Sequence, residues 1–421
     1  MLKKVGAVAL IGLLTLTGCG SQTSGSNNQG GSSQGAKEVK IGALLPLSGA
    51  VAPIGETCKR GQELATEEIN AAGGIKSLGG AKLVLDFADS KGDPKVGMSE
   101  AERLIMKDKV AVMTGAYQSS VTYPSTQVAE KYKIPYVVPV SVMDDITERG
   151  FKYTFRLAPK ASWYSRDQVK FSKEMGEQTG VVPKKVALVY ENSDWGQSSA
   201  KGWNVSVPEA GMQIVLDAPY PSSSSDLAPV ILKIKQANPD LILFTSYTSD
   251  AILLSNGIAE QKINAMGMIG QGGGHADPEY LKNVGKNAEY GFDLTEWSPD
   301  LGKPGVKETN AKFKQKYGVD MNGEAAESYA SMYVIADALE RAGSAEPEKI
   351  REALAKTKIT SGPGMILPYD AIEFDESGQN THASLIMVQV HDAQRSTVWP
   401  FSAKNPDYKV VWPAPKWADR K

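Results

Sequence analysis

Cysteine and histidine are nearly missing from this chain, with two and three respectively among 421 residues. Two cysteines cannot build a disulfide framework, and three histidines leave few ligands for a catalytic transition-metal centre. Neither sign of charge is in excess: 46 Lys and Arg stand against 48 Asp and Glu, a net charge of −2. With no basic surplus to neutralise a phosphate backbone, nucleic acid is not expected as a partner. Long apolar runs are missing after the first twenty residues, which excludes a multi-span membrane protein. What is there is a chain 41% hydrophobic and too long for one ordinary core, so two lobes or domains are expected.

Lys3 and Lys4 precede a mostly Val, Ala, Leu and Ile run over residues 5–16. That run is too short to span a bilayer and has the form of an export signal, residues 1–18. Leu16-Thr17-Gly18-Cys19 follows directly and resembles the lipobox of bacterial lipoproteins, in which the cysteine is lipidated and becomes the mature N-terminus. Cys19 is therefore assigned to a lipid anchor, and residues 19–37, rich in Gly, Ser, Asn and Gln, to a flexible tether. Cys58 is left alone in an exported chain. Nothing near it would activate a thiolate, so it is expected to pack as a small hydrophobe.

From residue 39 short apolar strands alternate with helical stretches: 39–45, 56–71, 83–88, 94–108 and 110–114. Ala101, Leu104 and Ile105 recur at helical spacing, whereas 110–113 is a continuous buried-strand run. The alternation restarts after Lys160, through 186–190, 214–218, 241–245 and 266–270, with helices between. This is β-α-β-α order, hence mostly parallel sheets in two successive α/β units. After Gly291 come longer helical stretches, 306–317, 324–342 and 348–356, then short strands and a tail bearing Pro and Trp. A tail without a core of its own must pack on the earlier units, so the chain is expected to cross between lobes more than once.

Enzyme motifs are incomplete. Gly196-Gln197-Ser198-Ser199-Ala200 lacks the last glycine of a nucleophile elbow, and its serine reads as a helix-start residue. Residues 270–275 begin like a phosphate loop, but His275 stands in the sixth position and no lysine follows. His275, His382 and His391 show no ligand spacing with Cys or paired carboxylates, and each reads as a surface or hydrogen-bonded histidine; no metal and no cofactor are expected. What remains are polar turns at the carboxyl ends of strands, the rim where open α/β sheets bind ligands. The turn Tyr117-Gln118-Ser119-Ser120 leads from a strand into a helix, where hydroxyls and free amides suit a carboxylate. Ser119 or Ser120 could instead only cap that helix. Tyr247 follows the strand 241–245 in the corresponding way, for binding or for packing.

In order along residues 39–412, these segments resemble the leucine/isoleucine/valine-binding protein family, the type I solute-binding proteins of ABC importers. The marks are Ile41-Gly42-Ala43-Leu44-Leu45-Pro46-Leu47-Ser48-Gly49, Ile69-Asn70-Ala71-Ala72-Gly73-Gly74-Ile75, Asp89-Ser90-Lys91-Gly92-Asp93-Pro94, Ile134-Pro135-Tyr136-Val137 and Tyr153-Thr154-Phe155-Arg156. The resemblance implies two Rossmann-like lobes joined by three crossings, near Lys160, Trp297 and Leu385. The N-terminal lobe would comprise 38–160 with 297–384, and the C-terminal lobe 161–296 with 385–421. It implies a ligand carboxylate at Ser119, with Gln118 and Tyr117 in the same loop and Val140 and Ser141 beside it. Tyr247 and Trp195 would close from the other lobe, with Gln271 and Trp163 also near the ligand. It further implies a monomer outside the cytoplasm serving a membrane permease and its ATPase. A sensor module for a membrane receptor, or an exported amide hydrolase, are the alternative readings.

Three positions depart from the family: Val142 replaces a threonine, Ile54 a tyrosine, and Gly272 a glutamate that holds the ligand's ammonium. Asp250 and Asp194 are the neighbouring acids. With the aligned acid gone and aromatic residues in supply, free leucine, isoleucine and valine are expected to bind poorly, and a carboxylate- or amide-bearing ligand, aromatic or not, whose amino group is absent or held by neutral acceptors, to bind better. For the anchor, Cys19→Ser is expected to abolish incorporation of a fatty-acid label in cells; label retained by that variant would remove the assignment.

Overall fold

The computed structural model describes residues 38–420 apart from 223. The export signal, Cys19 and the tether lie outside the described residues.

The chain begins β1 (Glu38–Leu45), α1 (Ala52–Ala71), β2 (Lys82–Asp89), α2 (Pro94–Met106), β3 (Val112–Gly115), α3 (Ser119–Tyr132), β4 (Tyr136–Val138) and β5 (Thr154–Arg156). These strands pair in parallel in the order β2-β1-β3-β4-β5. Parallel strands covered on both faces read as unbroken apolar runs, which is why Ala43, Leu44 and Leu45 are all buried. Local chemistry sets the helix starts: the Asp93 carboxylate accepts from the amides of Lys95 and Val96 at 2.8 and 2.9 Å, with Pro94 in the first turn.

A second series follows: α4 (Ala161–Thr179), β6 (Lys185–Glu191), α5 (Asp194–Glu209), β7 (Gln213–Tyr220), α6 (Ala228–Ala237), β8 (Leu241–Thr245), α7 (Thr248–Glu260), β9 (Gly267–Gly270), α8 (Pro278–Val284) and β10 (Phe292–Thr295). The chain then forms α9 (Val306–Tyr317), α10 (Gly323–Ala342), α11 (Pro347–Leu354) and the short pair β11 (Lys358–Ile359) and β12 (Ile372–Glu373) before β13 (Ile386–His391) and β14 (Gln394–Trp399). The second sheet has the order β14-β13-β10-β9-β8-β6-β7, parallel from β7 to β10 and antiparallel beyond.

The connection between β10 and β13 does not stay with the second sheet. Trp297, Phe313, Tyr329 and Leu339 share one buried cluster with Val39, Ile41, Leu83 and Val112 of the first. The chain therefore crosses three times: after β5, after β10 and before β13. The tail returns to the second sheet, where the Trp412 ring packs on Phe171 and Phe292 at centroid distances of 6.0 and 5.8 Å and its indole N–H donates to the Val181 carbonyl at 3.1 Å. Cys58 lies within the core, and burial, followed by the neighbouring Glu324, pushes its thiol far above the usual range.

One glycine sets how closely α10 approaches α1. A Cβ placed on Gly61 of α1 would lie 2.2 Å from the Ala325 carbonyl oxygen, so only glycine lets the two helices cross this closely. Gly61→Ala is expected to force α10 outward at a cost of about 2 kcal/mol. The readout is a lower urea midpoint at unchanged slope; an unchanged midpoint would show that the crossing relaxes freely.

Candidate ligand-binding site

Turns from both sheets and the crossing segments line one cavity: Tyr117, Ser119, Val140, Ser141, Val142 and Tyr164 from the first-lobe side and the start of α4; Trp195, Tyr247, Gln271 and Gly273 from the second; Glu296 and Glu324 from the crossings. It leaves about 30 Å³ free for water within about 360 Å³ of unfilled space that includes open solvent. That is room for only a few waters, so a ligand of amino-acid size enters when the lobes separate.

Each first-lobe residue is held by its neighbours. Tyr117 has φ of +72°, a left-handed conformation that strains a residue with a Cβ. Ser141 fixes it by donating to the Tyr117 carbonyl at 2.7 Å, and Thr122 contacts the Ser141 hydroxyl in turn. Ser119 is the first residue of α3 and does not cap it; Gln118 holds the cap position. The Ser119 hydroxyl accepts the Met143 amide at 3.3 Å, which leaves its own proton to donate into the cavity. The first amides of α3 add unfilled donors and the positive end of the helix dipole.

From the second lobe, Gln271 holds its amide oxygen between the hydroxyls of Ser199 at 2.5 Å and Thr245 at 2.8 Å, leaving its NH2 group without a partner. The Trp195 indole N–H is likewise buried and unpartnered. The rings of Trp195 and Tyr247 lie 5.1 Å apart, and Tyr117 meets Tyr247 at 6.2 Å. Two expected residues are placed elsewhere. Gln118 interacts with the Tyr247 hydroxyl without lining the cavity. Trp163 packs against the first lobe's core under the Arg166 guanidinium, 5.9 Å from its ring. One position along α4, Tyr164 faces the cavity instead, its hydroxyl buried and unpartnered.

Sequence reasoning missed two acids. Glu296 directly follows β10 and Glu324 lies in the first turn of α10. Burial pushes Glu324 up to about 7, despite the Gly273 amide donating to it. Burial and then Glu324 push Glu296 far above the carboxylate range, and burial and then Glu296 do the same to Glu327 one turn along α10. Behind them burial lifts Asp293 to about 8. The acids named from sequence lie outside the lining: Asp250 is occupied by the Tyr220 hydroxyl at 2.7 Å and the Tyr247 amide at 3.2 Å, and Asp194 is exposed at the start of α5. The rim rule that found Tyr247 would have found Glu296 had the strand before it been recognised.

Of the three histidines, His275 differs from expectation. His275 is buried between Phe244 and Tyr280, 5.5 and 5.0 Å away by ring centroids, and burial with Arg395 nearby lowers it to about 3. His391 has two carboxylates beside it: Glu289, just before β10, meets its Nδ1 at 2.5 Å, and Asp392 lies in the β13–β14 turn. His382 pairs with Asp370 at 2.7 Å.

A family model described as periplasmic binding protein matches residues 38–395. The Leu/Ile/Val-binding protein homolog 7 of Brucella abortus (strain 2308) is 32% identical over 388 residues, covering 89% of this chain and 94% of that protein. The chain belongs to the Leu/Ile/Val-binding family of periplasmic binding proteins. Among solved structures, a leucine-binding protein LivK from Thermotoga maritima superposes with a TM-score of 0.77 at 25% identity, covering 88% of this chain and 99% of that one. An ABC transporter solute-binding protein from R. palustris in complex with benzoate superposes at 0.75 and 18% identity, covering 86% and 95%. This periplasmic binding protein has the type I fold, two lobes joined by three crossings. Its family consists of extracytoplasmic solute-binding components of ABC importers, not enzymes. Among the described residues no helix is long and apolar enough to cross a membrane.

The raised acids fix the sign of a stability measurement. A carboxyl group whose folded pKa exceeds its unfolded value stabilises below about pH 4.5, and that contribution is lost as pH rises through the folded value. With Glu324 at about 7 and Asp293 at about 8, the empty periplasmic binding protein is expected to lose more than about 1 kcal/mol between pH 5 and pH 8. Urea midpoints across that range test this. Glu324→Gln should flatten the slope; a stability that rises with pH in both proteins would refute it.

Proposed function

We propose that this protein is the lipid-anchored solute-binding component of an ABC importer, held outside the cytoplasm by Cys19 and delivering a small ligand to a permease driven by its ATPase. It acts as a monomer, with residues 38–160 and 297–384 forming one lobe and 161–296 and 385–421 the other. The ligand is captured between the lobes by one carboxylate or amide group at Ser119. The observation that carries this reading is the Ser119 hydroxyl at the start of α3, its proton free to donate into a cavity walled by Tyr117, Trp195 and Tyr247. Leucine and benzoate, the compounds named for the two structural neighbours, both carry a carboxylate. A donor cluster at a helix N-terminus suits that group, and the aromatic walls suit an apolar or flat remainder.

Mechanistically, the ligand bridges loops of both lobes, so the closed form is favoured by the contacts that only it makes. Ser119, Ser141 and the α3 amides orient one end; Trp195 and Tyr247 close over the rest and exclude water. No bond is made or broken, and the ligand leaves unchanged.

A thermal-shift screen of branched-chain amino acids, aromatic acids and their amides identifies the ligand. Ser119→Ala should then weaken its binding about tenfold or more in calorimetric titration, the value of one charge-assisted hydrogen bond at about 1.5 to 3 kcal/mol. Equal affinity in both proteins would reduce Ser119 to a partner of Met143.

A further inference from the structure

We propose that a second binding site, for an organic anion bearing a carboxylate or phosphate group, lies beside the lobe crossings at Arg395, Trp297 and Asn322, apart from the solute cavity. It goes beyond the solute-binding reading and stands without it.

A cavity of about 580 Å³ occupies this place, within the size range of small-molecule sites. Among the described residues, none that lines it also lines the solute cavity. Glu296 and Glu324 border the solute cavity while their chain neighbours Thr295, Trp297 and Gly323 border this one, so the same stretches of chain divide the two spaces. Its walls come from α8, β13 and β14 of the second lobe, from the crossing at 295–299, and from the turn between α9 and α10. Pro278, Leu281, Val319, Met321 and Val388 supply apolar surface.

The polar groups of these walls are donors short of acceptors. Arg395 uses its Nη2 on the main-chain carbonyls of His275 and Asp277, but its Nε is buried without a partner. Among the described residues no carboxylate is ion-paired with this guanidinium, and burial lowers its pKa despite the acids at longer range. Trp297 is 2% exposed and its indole N–H has no partner. Asn322 is 8% exposed; its Oδ1 caps α10 by accepting the Ala325 amide at 3.0 Å, and its Nδ2 is left over. Asp293 stands between this cavity and the small one around His275. Its Oδ1 accepts the Gly272 amide at 2.9 Å. Burial lifts it to about 8, so at neutral pH the carboxyl group holds a proton, which the unpartnered Oδ2 has free to donate.

The acids nearby are committed elsewhere. Asp277 accepts the Thr248 hydroxyl at 2.7 Å and the Glu279 amide at 2.8 Å, and Asp320 pairs with Lys314 at 3.0 Å. Buried N–H groups without acceptors and a guanidinium without a counter-charge cost stability, and carboxylate and phosphate oxygens are the acceptors that arginine matches best. The apolar surface suits an organic remainder on the same molecule. Because the walls belong to both lobes, an occupant holds the lobes in this arrangement.

The test is calorimetric titration of the full chain with benzoate, hexanoate and phenyl phosphate, set against benzyl alcohol, hexanol and inorganic phosphate at matched ionic strength. At least one organic anion should bind, and about tenfold or more tightly than its neutral relative. A carboxylate also suits Ser119, so the same titrations are run on Ser119→Ala, where binding at the second site should survive. Arg395→Gln removes the charge and should weaken binding about tenfold or more. Trp297→Phe keeps a ring and loses the N–H, and Asn322→Ser keeps an oxygen for the α10 cap and loses the amide nitrogen; each should weaken binding about threefold or more. Urea midpoints establish which variants fold, and if Arg395→Gln does not, the other two decide. Affinity unchanged in the folded variants overturns the proposal, as does a neutral relative or inorganic phosphate that binds as tightly as the organic anion. Binding lost in Ser119→Ala yet kept in the other variants assigns the anion to the solute cavity, which overturns the second site and leaves solute capture intact. No binding of any of the three organic anions at millimolar concentration also overturns it.

Discussion

A strand that runs parallel to its neighbour must be re-entered from the same end, so every turn that follows a strand collects along one edge of the sheet. Nearly everything at the cavity obeys that constraint. β3 delivers Tyr117 and Ser119, and the segment after β4 delivers Val140, Ser141 and Val142. On the other side β6, β8, β9 and β10 lead to Trp195, Tyr247, Gln271 and Glu296. Glu324 is the exception. It arrives on a helix start, set in place by the Gly61 crossing of α1 and α10. Val and Ile in the strands therefore decide that a site exists, while short turns decide its chemistry.

Arg156 and the polar residues of the cavity are treated differently. Arg156 is fully buried, and although burial lowers it to about 10 it keeps its charge and bonds two separate segments, 143–147 and Gln379, near the first crossing. That network is satisfied within the protein and serves the fold. At the cavity, by contrast, Glu324, Gln271, Trp195 and Tyr164 each keep a buried polar atom without a partner. Unmade hydrogen bonds cost stability, and these four atoms border one cavity, so a ligand that partnered them there would recover that cost.

The sequence is most legible where period and burial agree. The strand at 241–245 and the helix at 306–317 fall where apolar spacing puts them, and the tail needed no periodicity to be assigned to an earlier unit. β3 begins two residues later than its apolar run; Val110 is buried and Ala111 half-buried, and the Ala111 amide donates to the Lys40 carbonyl at 2.9 Å ahead of the strand proper. The site was legible where a polar turn follows an obvious strand, as at Ser119 and Tyr247. Trp163 shows the limit: the two aromatics at 163 and 164 point about 100° apart on a helix, and sequence alone cannot tell which faces the cleft. The acids were illegible for another reason. β10 is only four residues long, and Glu324 reads as an ordinary acidic residue in a helix's first turn.

The hydrogen bond from the Gly273 amide to Glu324 joins a turn of one lobe to a helix of the other. Any movement that parts them hydrates that carboxyl group and returns it toward its ordinary affinity for protons. Parting the lobes and losing a proton are thus coupled through this one contact.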